Sequence, residues 1–157
     1  MKTTFGEFAA YKASGRIVES KAVDRATSFV KKENAVQSSI RLGKKIISRM
    51  QPDYPVLLLL NHILGGYFGS RLMKNIREEK GYTYGISSGW LSMKYDGLFV
   101  IQTDVGNEYI NPTLSEIWKE MLLLIDMGVT SAELDLVRNY TLGKSATGRE
   151  TPSQLQS

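Results

Sequence analysis

Apolar residues alternate with polar ones in some stretches of the chain and recur every third or fourth position in others, and the two periods divide it into strands and helices. The first third is β-leaning. "GRIVESKAV" and "TSFVKK" read as strands, and Lys32-Glu33-Asn34 separates the second from "AVQSSIRLG". In that last run Val36, Ser38, Ile40 and Leu42 share one face, while Ala35, Gln37, Ser39 and Arg41 share the other. Such a pattern suits a sheet covered on one side.

Helical spacing begins at "DYPVLLLLNHILGG", where Val56, Leu59, Leu60, Ile63 and Leu64 form a stripe that Leu57 and Leu58 widen. A well-buried helix is predicted there, with Gly65-Gly66 as its stop signal. "SRLMKNIREEKG" predicts a second helix, capped by Ser70, ended by Gly81, and buried through Leu72, Met73 and Ile76. Two strands follow, "GYTYGISSGWLS" and "LFVIQTDV", joined through a turn at Asp96-Gly97. A third helix is expected from Asn111 as cap and Pro112 at the first position, with Leu114, Ile117, Trp118, Met121, Leu122 and Ile125 as its stripe. A fourth opens at Thr130 and Glu133, which have capping-box spacing. Clustered strands followed by paired helices predict an α+β fold, a largely antiparallel sheet with helices on one face.

At 157 residues, 42% hydrophobic and 23% charged, the chain is expected to form one soluble domain spanning 1–157. The longest apolar run, "VLLLL", stops at Asn61 and His62, far short of a membrane span. "MKTTFGEFAAYK" has no apolar core of the signal-peptide kind. Near the other end, Thr151, Pro152 and Gln154 form a helix-start signal with three residues after it, so a piece of a longer protein is expected. The net charge of +4 is spread among 16 acidic residues, which fits a solvated surface and gives a nucleic-acid role the lowest rank.

The chain has no cysteine and one histidine, His62, in the middle of an apolar helix. Neither HExxH nor HxxEH occurs, so no zinc site is built from this sequence alone. No GxSxG is present, and "GGYFGSR" joins helix to helix rather than strand to helix, unlike a phosphate-binding loop. Glu78 and Glu79 sit on an exposed helix end, where solvation explains them. Arg77 and Tyr84, seven positions apart across Gly81, remain. An arginine holds carbonyls or carboxylates, and a tyrosine hydroxyl donates to a developing oxyanion. The same pair has a structural explanation, Arg77 facing the helix C-terminus and Tyr84 packing on the sheet. From the residues alone, the structural explanation is preferred.

Taken in order, "FGEF", "VDR", "VQSSIRLG", "PDYPVLLLLNHILGGYFGSRLMKNIREEKGYTYGISS", "TSAELDLVRNYTLG" and "GRETPSQ" resemble the C-terminal-type domain of the M16 metallopeptidases, the pitrilysin, insulinase and mitochondrial processing peptidase family. The resemblance implies a two-layer M16/LuxS-like α+β domain that lacks the HxxEH zinc site. Zinc is then expected in a separate HxxEH-bearing M16 domain, of the same parent chain or of another subunit. Arg77 and Tyr84 fall on the family's R-x6-Y spacing and take its roles: holding the substrate backbone and stabilising the tetrahedral intermediate. Tyr82 is the neighbouring alternative, expected on the opposite face of the strand. The expected partners are that second domain, a peptide substrate and, through exposed apolar surface, another copy of the chain; a bacterial cytoplasmic or periplasmic location is expected. By itself this chain is expected to be inactive. A scaffold subunit of the same fold is the alternative.

Overall fold

The computed structural model describes residues 26–92 and 96–148. The chain divides into two compact units, Met1–Val30 and Lys31–Ser157. Of the first, residues 26–30 are described and have no regular structure. The strand expected over "TSFVKK" is therefore absent. Phe29 and Val30 are adjacent rather than alternate, so the stretch has no single apolar face to bury. The segments "GRIVESKAV", "FGEF" and "VDR", and "GRETPSQ" beyond Gly148, lie outside the described residues.

Among the described residues, three antiparallel strands form the sheet in the order β1-β3-β2: β1 (Gln37–Ile46), β2 (Thr83–Ser92) and β3 (Gly97–Gly106). Asn34 adopts a left-handed φ of 60° in the turn before β1, as the Lys-Glu-Asn punctuation predicts. β1 buries Ile40 and half-buries Ser38 and Leu42, while Gln37, Ser39 and Arg41 are exposed. Its period of two sets the same division on β3, where Ile101, Thr103 and Val105 are buried and Gln102 and Asp104 face solvent.

The helices cover the inner face. Helix α1 (Tyr54–Asn61) runs without a break into a π-helical turn, His62–Gly66. A second π-helical segment, Met73–Glu79, leads to β2. Helix α2 (Ile110–Met127) follows a short 3-10 turn, Asn107–Tyr109, and α3 (Ser131–Gly148) completes the described chain. Leu64, Leu72, Met73, Ile76, Ile86, Ile101 and Ile117 make one core between helices and sheet. This is the α+β, one-face-covered architecture that the patterning implies.

Local details differ from the pattern. Val56 is exposed and Leu57 to Leu60 are only half-buried, so the burial of the first helix is concentrated in Asn61, Ile63, Leu64 and Gly65. Gly65-Gly66 does not end that helix at its first glycine. A Cβ on Gly65 would lie 2.7 Å from the backbone N of Ser88 and 3.0 Å from Leu72 Cδ1. Gly65 thus serves close approach of helix to strand rather than chain termination. The same approach screens the outer edge of β2, where the Ile86 N–H points at Met73 Sδ, 3.4 Å away.

Ser70 is buried, and its hydroxyl finds no partner, so it does not cap the next helix. Asn111 does not cap α2 either. The 3-10 turn starts the helix two residues earlier, at Ile110 with Tyr109 in the cap position, and the Asn111 carbonyl accepts a hydrogen bond from Ser115 Oγ at 3.1 Å. The six-residue stripe on α2 divides between two sides. Ile117 is buried and Met121 packs on the core, whereas Trp118, Leu122 and Ile125 are exposed.

The capping box on α3 forms as its spacing predicts: Thr130 N–H donates to Glu133 Oε2 at 2.9 Å, and Glu133 N–H to Thr130 Oγ1 at 3.3 Å. The same carboxylate takes two hydrogen bonds from Arg71, Nε at 2.6 Å and Nη2 at 2.9 Å, while Nη2 also reaches the Gly128 carbonyl at 2.8 Å. Arg71 therefore ties the entry of the second π-helical segment to the α2–α3 turn.

The Arg71 hydrogen bonds, with those from Thr130, hold the Glu133 carboxyl at about 2, against an ordinary 4.5. A folded-state value below the unfolded one stabilises the protein above the ordinary value, and that contribution is lost as pH falls toward the lower one. With Glu133 a quarter exposed, it amounts to about 1–2 kcal/mol after allowance for solvent screening. In thermal melts, Glu133→Gln should lower Tm near neutral pH, and the gap to wild type should close as pH drops from about 4.5 to about 2. A pH-independent gap would show that the carboxylate charge is not what matters.

Candidate functional site

The helix-to-strand join at Gly81 is built from main-chain constraints. Gly81 takes a φ of 67°, a left-handed conformation that costs other residues about 1 kcal/mol or more. The exit is one residue wider than an α-helical one: Lys80 N–H bonds to Asn75 O at 2.9 Å and Tyr82 N–H to Ile76 O at 3.0 Å. Tyr82 packs at the margin of the core and stacks on Tyr109, with ring centroids 4.9 Å apart and planes 16° from parallel.

β2 then starts with a bulge. Its pairing to β3 shifts between Thr83 and Ile86: Thr83 opposes Val105 and Ile86 opposes Thr103, so three steps on β2 match two on β3. Ile86 and Ser88 are buried on the helix side. Carried backward, their period would turn Tyr84 inward. The extra residue instead places Thr83 inward and leaves Tyr84 93% exposed on the outer side. Two hydroxyls stitch the irregular backbone. Thr83 Oγ1 lies 2.9 Å from Gly85 O and 2.8 Å from Asp104 O, and accepts from Gly85 N–H at 3.1 Å. Thr103 Oγ1 lies 2.9 Å from both Thr83 Oγ1 and Gly85 O.

Tyr82 is half-buried and Tyr84 exposed, but both border one cleft, and strand alternation would put residues two apart on one face rather than on opposite ones. Tyr82 precedes the strand and is held by the core margin and Tyr109. The bulge turns Tyr84 outward.

Arg77 meets Tyr84 across the Gly81 turn. Its Nε donates to the Tyr84 carbonyl oxygen at 3.0 Å, its Nη1 lies 3.8 Å from Glu78 Oε1, and its Cζ stands 4.6 Å from the Phe68 ring centroid. The two residues singled out by spacing are thus brought together, through the main chain of one and the side chain of the other. With Nε engaged, the Nη groups are the donors left for a further acceptor. On its other side Tyr84 joins Tyr82, Tyr109, Gln37, Asp104 and the Gly81 and Gly106 backbone around an open cleft of about 260 Å³. Sequence spacing pointed to Arg77 and Tyr84, but not to Phe68 or Tyr109, which lie nine residues before Arg77 and 25 after Tyr84.

Among the described residues, the side chains do not fit a zinc ion. His62 places Nδ1 2.8 Å from the Leu58 carbonyl oxygen and its ring 6.0 Å from Tyr140, a satisfied helix histidine. Among the described residues, no group of three or more His, Cys, Asp or Glu could hold a metal ion. Nor is any helix among them long and apolar enough to cross a membrane.

The sequence matches the family described as Peptidase M16 inactive domain over residues 1–140. It is 26% identical over 151 residues to the Bacillus subtilis (strain 168) protein named Uncharacterized zinc protease YmxG, covering 96% of this chain and 37% of that one. To the Helicobacter pylori (strain ATCC 700392 / 26695) protein named Non-peptidase homolog YmxG it is 28% identical over 134 residues, covering 83% and 30%. Among solved structures, a peptidase M16 inactive domain from Pseudomonas fluorescens superposes with a TM-score of 0.67 at 36% identity, covering 71% of this chain and 27% of that one. The chain thus spans little more than a third of these relatives' lengths at most.

Proposed function

The chain belongs to the peptidase M16 inactive-domain family, and we propose that it is the substrate-facing wall of a zinc metalloendopeptidase, one domain of a longer protein. It binds the peptide without carrying the metal. Zinc, with the glutamate that activates water, belongs in this reading to an HxxEH-bearing partner domain of the same parent chain or of a separate subunit. The residues of this chain hold and polarise the substrate. Arg77 donates from its Nη groups to a peptide carbonyl and so fixes the strand's position. Tyr84 donates its hydroxyl to the oxygen of the scissile carbonyl as negative charge develops there.

The observation that carries this reading is the outward bulge at Tyr84 with Arg77 bonded to it. Four contacts among Thr83, Thr103, Gly85 and Asp104 maintain a strand irregularity whose visible result is an exposed tyrosine beside an arginine. A tyrosine that merely packed on the sheet would not be 93% exposed.

A scaffold subunit is the second reading. The name of the Helicobacter pylori relative favours it, as does Arg77's bond to main chain rather than to the Tyr84 hydroxyl. One experiment separates the two: hydrolysis of a broad peptide panel by the full-length parent protein, with and without a zinc chelator, beside this 157-residue chain. Chelator-sensitive cleavage by the parent, and none by the chain alone, is the expected result. A parent that stays inactive with zinc added would assign the scaffold role.

A further inference from the structure

Phe68 has an exposed ring that contributes nothing to the core, at 63% relative exposure, yet the loop that carries it is tightly constrained. Ser70 N–H closes the turn onto the Tyr67 carbonyl at 3.2 Å. The Tyr67 ring packs 5.0 Å from Tyr140 on α3 and covers Gly69, where a Cβ would come within 2.8 Å of it. With Tyr67 drawn to α3 and Gly69 kept bare, Phe68 is the residue of this turn presented outward. The Arg77 guanidinium lies over its ring, Cζ to centroid 4.6 Å, within cation–π range.

An arginine side chain has several rotatable bonds and loses much freedom when fixed. Here two contacts fix it before any ligand arrives: the Nε bond to the Tyr84 carbonyl and the Phe68 ring beneath the charge. The Glu78 carboxylate, at 3.8 Å from Nη1, is too distant for a strong hydrogen bond. We propose that Phe68 is a positioning residue for Arg77, a platform that pre-orients the guanidinium so that its Nη edge meets a carbonyl of an extended peptide. The inference rests on the substrate-facing reading and adds to it a residue that touches no substrate. The ring works through its π face, so an apolar side chain of similar volume does not replace it.

The test uses the full-length parent protein and an uncleavable extended peptide, with affinity measured by calorimetry, so that it does not depend on hydrolysis. Exposed cation–π contacts correspond to about a two- to fivefold change in affinity. Phe68→Ala and Phe68→Leu are expected to raise Kd about that much, and Phe68→Tyr to restore it. Where cleavage is measurable, KM should rise likewise with kcat within about twofold. Because Phe68 is exposed, Tm should fall by no more than a few degrees, and a second readout is available: the Arg77 side-chain N–H protons, shifted by the aromatic ring current, should move in Phe68→Leu.

Wild-type affinity in Phe68→Leu, with Arg77→Ala weakened, would overturn the platform while leaving the Arg77 reading intact. Unchanged affinity in Arg77→Ala, or no peptide binding by wild type, would remove both.

Discussion

Replacing Tyr84 with phenylalanine in the full-length protein is expected to lower kcat about 100-fold while KM moves less than about threefold. The change deletes one oxygen. Because the ring is almost fully exposed, neither packing nor folding depends on that hydroxyl. A donor aimed at charge that develops during reaction is missed in the transition state and hardly at all in the ground state, so the loss falls on turnover. Arg77 should behave differently. It would hold a carbonyl present before and during reaction, so Arg77→Ala should act mainly through KM. Steady-state kinetics of Tyr84→Phe, with a melting curve to confirm the fold, decides the matter: a kcat equal to wild type would remove Tyr84 from the chemistry.

The largest effect on stability is expected at Gly65. A methyl group there would meet Ser88 N and Ser88 Oγ, both at 2.7 Å, and Leu72 Cδ1 at 3.0 Å. The hydroxyl and the leucine methyl can rotate, but the backbone nitrogen belongs to a strand paired along β3 and cannot step aside. Overpacking of this kind costs about 1–3 kcal/mol, and the better helix propensity of alanine returns at most about 1 kcal/mol. Gly65→Ala should therefore lose about 2 kcal/mol in denaturant unfolding and several degrees in Tm. Gly89→Ala is the control, because a Cβ there meets nothing within 4 Å. Equal stability in Gly65→Ala and wild type would show that strand and helix can separate freely.

These two residues mark what was legible in the sequence. The Arg77–Gly81–Tyr84 join could be read because helix exit and strand entry are local events, signalled by a glycine at a left-handed position and by β-prone residues after it. The outward direction of Tyr84 could not. It follows from a bulge fixed by Thr103, 19 positions away on the neighbouring strand. Gly65 was legible as a glycine but not in its role, since a helix stop and a close approach look alike until the opposing strand is known. For the same reason the α2 stripe misled: Trp118, Leu122 and Ile125 have helical spacing, but only the position of the core decides which side of the helix is buried. Thr130 and Glu133 were read correctly as a cap, while Arg71, 62 positions from Glu133, was invisible as its partner.

The screened edge of β2 bears on how the molecule avoids its own kind. A bare outer strand, with its amides unclaimed, is a template for indefinite strand-on-strand growth, the first step toward cross-β fibres. With the Ile86 amide facing Met73 sulfur and Gly65 pressed against Ser88, part of that row on β2 is already covered. The glycine that permits the tight approach thus also leaves fewer amides of this strand open to pairing with another chain.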